Sequence, residues 1–166
     1  MFNRIYLDSN VLISAFSGDE REKAILLMEM VGAVPEMPAA PFVTSELTLA
    51  ESLVRALRVG LDHDVASMDN VLTSSGWLEV VPVARRQLFG VAWIRSQYLG
   101  VKLPDAIHVA TAIGHGCRHL LTADEGLRGE YQLSAWQWGR SETSEPVAVI
   151  RPDTRTLTEV IAWLTS

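Results

Sequence analysis

The 166-residue sequence has a single cysteine, Cys117, and so no means of closing an internal disulfide. One unpaired thiol fits a reducing compartment. Long apolar runs are missing too, since none approaches the roughly 20 residues that a membrane span needs. The first segment has no signal-peptide layout, because Asp8 falls where an apolar stretch would have to continue. The expectation is a cytoplasmic protein with no membrane contact. Positive charge is scarce, with 14 Lys+Arg against 20 Asp+Glu and a net charge of −6. That is the wrong sign for a protein that coats nucleic acid non-specifically. It leaves nucleic-acid chemistry open, because a site for divalent cations must itself be acidic. Only Lys23 and Lys102 are lysines; the other bases are arginines, which grip phosphate in bidentate fashion.

What remains is ordinary globular material, 48% hydrophobic and 20% charged. The length suits one domain over residues 1–166, large enough to bury a core without cross-links. Arg4 to Leu7 reads as a short buried strand ending at Asp8, followed by a helix, V-L-I-S-A-F. A second helix is expected from about Asp19 to Val34, with Ala24, Leu27, Met28 and Val31 as its apolar stripe. P-E-M-P-A-A-P is a loop by its prolines, and F-V-T a strand. Helices follow over roughly Glu46–Gly60 and His63–Ser74, then a strand in W-L-E-V-V-P-V and a helix over Ala84–Leu99. Pro104 opens a helix running to Gly114, since proline suits the first helical turn. H-L-L-T is a strand that stops before Asp124. Pro146–Ile150 reads as another strand and Thr156–Leu164 as a closing helix, with R-S-E-T-S-E-P an exposed loop between. Trp136 and Trp138 share a face if their segment is extended. Strands alternating with helices imply an α/β fold, a parallel sheet covered on both faces.

In such a sheet, ligands bind outside the carboxyl ends of the strands, where Asp8 and Asp124 both fall. Singly, each has a plainer reading as a helix cap. Asp105 does not. The helical period sets it beside Val109 and Ala112 on an apolar arc, apart from a polar stripe of His108, Thr111 and His115. Its first-turn position gains about 0.3–1 kcal/mol from the helix dipole. Burying an unpaired carboxylate costs several kcal/mol, so a cation partner is the natural resolution. In the helix from Glu46, the expected buried stripe is Leu47, Ala50, Val54, Leu57 and Leu61. Glu46 and Glu51 flank it about 140° apart, and spacing alone does not choose between them.

Four segments, L-D-S-N-V-L-I, T-S-E-L-T-L-A-E-S-L, L-P-D-A-I-H-V-A-T-A and L-L-T-A-D-E, resemble the landmarks of PIN domains in their order. The pattern is most like that of VapC-type toxins from bacterial and archaeal toxin–antitoxin pairs, and runs from residue 5 to about residue 128. The resemblance places an acidic quartet on Asp8, Glu51, Asp105 and Asp124, selecting Glu51 because the family's acid follows the small residue in T-L-A-E. Ser9 and Thr122 match small hydroxyl residues that support the site. It also implies a Rossmann-like three-layer α/β/α sandwich, metal-dependent ribonuclease activity, a homodimer and an inhibitory antitoxin. The chain runs longer than compact members, after Gly60 and after Gly129.

Four converging carboxylates repel one another unless a hard cation neutralises them, which fits Mg2+ or Mn2+. Asp8, Asp105 and Asp124 are then the expected metal contacts, and Glu51 the group that positions or deprotonates the attacking water. Arg55 and Arg58, four and seven residues beyond Glu51, lie on its side of the helix and are candidates to hold the RNA backbone. His108 is placed at the border of the crevice as a phosphate contact. His115, Cys117 and His119 span a helix end and a strand start without a second ligand cluster, so they are read as structural, with Cys117 in the core. Two other readings compete. A PIN-like module that has lost catalysis would bind RNA or protein without cutting. A haloacid-dehalogenase-like phosphatase would start at Asp8-Ser9-Asn10-Val11, but with an amide in place of its second acid.

Overall fold

The structure, a computed structural model, describes residues 2–17, 21–137 and 140–166. Trp138 and the side chains of Trp136 and Arg55 lie outside the described residues. The chain begins with β1 (Ile5–Leu7), α1 (Ser9–Ser17), α2 (Arg21–Gly32) and β2 (Phe42–Ser45). It continues through α3 (Glu46–Val59), α4 (Asp62–Val71), β3 (Leu78–Val81), α5 (Arg85–Gln97) and α6 (Leu103–Gly114). Then come β4 (His119–Leu121), β5 (Glu130–Tyr131), β6 (Ser134–Gln137), β7 (Arg140–Thr143), β8 (Val147–Ile150) and α7 (Thr154–Leu164). No helix among the described residues is long and apolar enough to cross a membrane.

Six strands form one sheet in the order β3-β2-β1-β4-β8-β5. It is parallel except at the edge, where the short β5 runs antiparallel to β8. A parallel sheet is buried on both faces, so its strands are mostly apolar without strict alternation, as in Ile5–Leu7 of β1, which is buried throughout. Ile5, Leu7, Phe42, Leu78 and Leu121 pack on one side with Val11, Leu12, Leu27, Met30, Leu157 and Val160 of α1, α2 and α7. Tyr6, Val43, Leu120 and Val147 pack on the other with Val91, Ile94, Ala106 and Val109 of α5 and α6. These are the three layers of the expected α/β/α sandwich. The chain moves outward from β1 through β2 to β3, then crosses back to lay β4 on the other flank of β1. That reversal opens a crevice at the carboxyl ends of β1 and β4.

The helix stripes depart from expectation. In α2 the buried residues are Ala24, Leu27 and Met30, while Met28 is exposed. In α3 the inward face is Thr48, Ser52 and Ala56. Val54, Leu57 and Leu61 of the expected stripe are 42%, 63% and 46% exposed. Small polar residues can take that inward face because their hydroxyls find partners inside. Thr48 Oγ1 lies 2.7 Å from Thr44 Oγ1, and Ser52 Oγ donates to the Thr48 carbonyl at 2.7 Å. The helix stops at Gly60, whose φ of 70° favours a residue without a side chain.

Helix α6 also differs. Its supposed polar stripe is largely inside: His108 and Thr111 are as buried as Val109 and Ala112, because the helix is wedged between α5 and the sheet. Beyond residue 129, the segment read as an exposed loop supplies β7, paired antiparallel with β6 in a separate two-stranded sheet. Its polar composition gave no alternation from which a strand could be read.

Candidate active site

Asp8 follows β1 at the head of α1 and is 4% exposed. Its Oδ1 accepts from the Ser9 backbone N–H at 2.7 Å and from Ser9 Oγ at 3.3 Å. Its Oδ2 accepts from Asn10 Nδ2 at 2.7 Å and from Thr122 Oγ1. Thr122 follows β4, so this contact ties together the ends of the two strands that flank the crevice. Asn10 works both ways across the same gap. It donates to Thr122 Oγ1 at 3.1 Å, while its Oδ1 accepts from the Ala123 N–H at 2.9 Å. An amide with both ends committed to the scaffold is ill placed to act as the second acid of a phosphatase.

Asp124 is half-buried in the turn after β4. Its N–H donates to Thr122 Oγ1 at 2.9 Å, and its Oδ1 accepts from the Gly126 N–H at 2.7 Å. The turn is clamped from β8 by Arg151, a residue the sequence reading passed over. Arg151 Nη1 donates to the carbonyls of Thr122 at 2.9 Å and Asp124 at 2.7 Å, and Nη2 donates to the carbonyl of Leu127. The signal for it was present in the sequence, because Arg151 stands just past the end of a parallel strand, as Asp8 does. A cleft of about 710 Å3 opens beside this turn, lined by Arg21, Lys23, Ala123 and Arg151 among others.

Asp105 sits in the first turn of α6, half-buried. Burial pushes its carboxyl above the ordinary value, and the charges of Asp124 and Asp8 push it further; Lys102 opposes them only in part. Three acids from three separate elements thus share one electrostatic neighbourhood. Glu51, on the flank of α3, completes the group. Its Oε2 lies 3.1 Å from His108 Nε2, which is also 3.3 Å from Asp8 Oδ1. That hydrogen bond is the main reason the Glu51 carboxyl is held below its ordinary value. Glu46 is exposed on α3 and takes no part in these contacts.

His108 is 2% exposed and lies beneath the acids, so the expected contact with phosphate at the border of the crevice is not available to it. The i,i+3 spacing of Asp105 and His108 was the clue that both approach the same place. Arg58 is exposed near the end of α3, roughly 10 Å along the helix axis from Glu51. His115 meets Gln87, His119 packs edge-on against Phe2, and Cys117 is core, its thiol pushed up to about 12 by burial.

The donors here are carboxylate oxygens, with the His108 ring packed beneath them. One ligand atom each from Asp8, Glu51 and His108 lies within 4.8 Å of the others. Hard oxygen donors around uncompensated negative charge fit a hard divalent cation.

The PIN domain family model matches residues 5–129. The chain belongs to the PIN domain family. All four acids fall inside the matched segment, whereas Arg151 lies beyond it. No curated protein sequence matches this PIN domain. Among solved structures, a toxin–antitoxin complex from Klebsiella pneumoniae is similar at 25% identity and a TM-score of 0.55, covering 72% of this chain and 86% of that one. VapC20 of Mycobacterium tuberculosis, a sarcin–ricin-loop-cleaving toxin, is 16% identical with a TM-score of 0.54, over 70% of this chain and 86% of that one. VapBC2 from Rickettsia felis, bound to a DNA fragment from its promoter, is 14% identical with a TM-score of 0.51, over 72% and 87%.

Proposed function

We propose that this PIN domain is a metal-dependent endoribonuclease and the toxin of a toxin–antitoxin pair in the cytoplasm. What supports this reading is that Asp8 and Asp124 follow β1 and β4 at the crevice, and that burial and the charges of these two acids push the Asp105 carboxyl above its ordinary value. Asp8, Asp105 and Asp124 would hold the cation, Mg2+ or Mn2+. Bound there, such a cation supplies Lewis-acid stabilisation to a phosphodiester under attack.

Hydrolysis forms one P–O bond to the water oxygen and breaks one P–O ester bond in the chain. Glu51 faces this event ionised, since His108 holds its carboxyl below the ordinary value. A carboxylate with a lowered pKa is a weaker base, so Glu51 acts by accepting a hydrogen bond from the incoming water and aiming it. Ser9 and Thr122 hold Asp8 in place. Arg58, with Arg55, would take the RNA backbone, and binding would then fall as salt rises. An antitoxin belongs to the same proposal, supported by the toxin–antitoxin complexes among the similar structures, and a homodimer is proposed on the family resemblance alone. The exposed apolar side chains of Val54 and Leu57 in α3, and of Leu61 just beyond it, offer surface for protein contacts.

The test is cleavage of total RNA by purified protein in Mg2+, Mn2+ or EDTA, beside Asp105→Asn. Cutting that needs metal and disappears in Asp105→Asn supports the reading. RNA that is bound but left whole under every metal favours the module that has lost catalysis.

A further inference from the structure

Resting on the metal-dependent nuclease reading above, we propose that His108 is a positioning residue of the site, yoking Glu51 to Asp8 from beneath through one N–H. Its Nε2 lies 3.1 Å from Glu51 Oε2 and 3.3 Å from Asp8 Oδ1. Carboxylate oxygens only accept, so the hydrogen between them sits on Nε2. The other ring nitrogen, Nδ1, is 2.9 Å from Tyr6 Oη, which in turn is 2.9 Å from Ser45 Oγ. Tyr6 and Ser45 are fully buried and His108 nearly so. The ring is therefore held at both edges and cannot turn away from the acids.

This polar chain links β1, β2, α3 and α6. Tyr6 comes from β1 and Asp8 from just past its end, Ser45 from the last position of β2, Glu51 from the flank of α3 and His108 from α6. Glu51 is the member with freedom to lose. It projects from the flank of α3, half-exposed, on a long side chain that open solvent would leave in many rotamers. The shared N–H selects one of them. It also lowers the cost of setting two negative carboxylates side by side. Any buried histidine needs its nitrogens paired; what sets this one apart is that its Nε2 meets two carboxylates at the crevice. Partners that orient a metal-binding carboxylate are worth about 10- to 100-fold in metal affinity or activity when removed.

The experiment uses the full chain after dialysis against EDTA, titrated with Mn2+ by calorimetry, for wild type, His108→Leu and His108→Gln. Leucine keeps bulk and removes the N–H, whereas the glutamine amide can return a donor near the place of Nε2. Mn2+ binding weakened about 10- to 100-fold in His108→Leu, and partly restored in His108→Gln, is the expected result. On an RNA that the wild type cuts, kcat falls in His108→Leu while KM stays within about threefold, because the loss is one of positioning. Unchanged Mn2+ affinity and kcat in a folded His108→Leu would overturn the inference while leaving the nuclease reading intact. A wild type that takes up no Mn2+ overturns the metal reading itself, and this inference with it. If His108→Leu does not fold, the nitrogen spectrum of histidine-labelled wild type decides. A protonated, slowly exchanging Nε2 that shifts in Glu51→Gln supports the yoke, and an unprotonated Nε2 overturns it.

Discussion

Asp8 and Asp105, whose charges act on one another, are treated in opposite ways. Asp8 is deeply buried yet fully served, with hydrogen bonds from Ser9, Asn10 and Thr122 and the imidazole of His108 alongside. Asp105 is less buried yet left under strain, with burial and two neighbouring carboxylates raising its pKa. The difference separates two tasks. One wall of the site is built by the protein to keep its shape alone, and the other holds negative charge that the protein does not itself balance. A site satisfied throughout would have no use for a cation, and one unsatisfied throughout would not hold together without it.

Breaking the unsatisfied wall should have the largest effect on activity and none of the usual cost in stability. Asp105→Asn is expected to lower RNA cleavage by about a hundredfold or more, in the range found when one electrostatic contributor is removed. Cleavage rates measured in excess Mg2+ check this. Breaking the satisfied wall should damage both. Thr122→Val removes the donor to Asp8 and the acceptor for Asp124 and Asn10, all from a position with no exposure. It is expected to cost about 1–3 kcal/mol in urea unfolding and about 10- to 100-fold in activity. Arg151→Ala frees three carbonyls of the Asp124 turn. A loss of about 2 kcal/mol, with Asp124 less well held, is the expected outcome of the same unfolding measurement.

The comparison also predicts a pH dependence of the metal-free protein. A carboxyl raised in the folded state contributes stability that is complete below its unfolded pKa and lost as pH rises through the folded one. In EDTA, Asp105→Asn should therefore be more stable than wild type at pH 7. The gap should close as pH falls below the ordinary Asp value of about 3.9, where the folded and unfolded carboxyls are both mostly protonated. Urea midpoints at several pH values measure it, and added Mg2+ should narrow it at pH 7. The smallest effect belongs to the exposed row of α3, where Leu57→Ser should shift monomer stability by no more than about 0.5 kcal/mol. A larger change would show that Leu57 is covered in solution.

The alternation of strands and helices was legible because each segment carries its own apolar pattern and its own breakers. The order of the strands was not, since nothing local tells β4 to cross back and pair with β1. Asp105 could be singled out from sequence because a carboxylate on an apolar arc needs a reason. The orientation of α3 was misread because apolar periodicity counts leucines and valines, whereas the helix buries Thr48, Ser52 and Ala56, with the two hydroxyls matched to partners four residues back. Arg151 escaped, and His108 was set at the border of the crevice instead of beneath it, for a different reason. Their value lies in partners far along the chain, Glu51 and Thr122, that only the folded sheet brings near.

The most direct test of the divided site is calorimetric titration of Mn2+ into EDTA-treated wild type and Asp105→Asn under identical conditions. Saturable binding by the wild type, lost or greatly weakened in Asp105→Asn, is the predicted result. Equal binding by both proteins would contradict it, since the charge that Asp105 leaves unbalanced would then have no part in holding the cation.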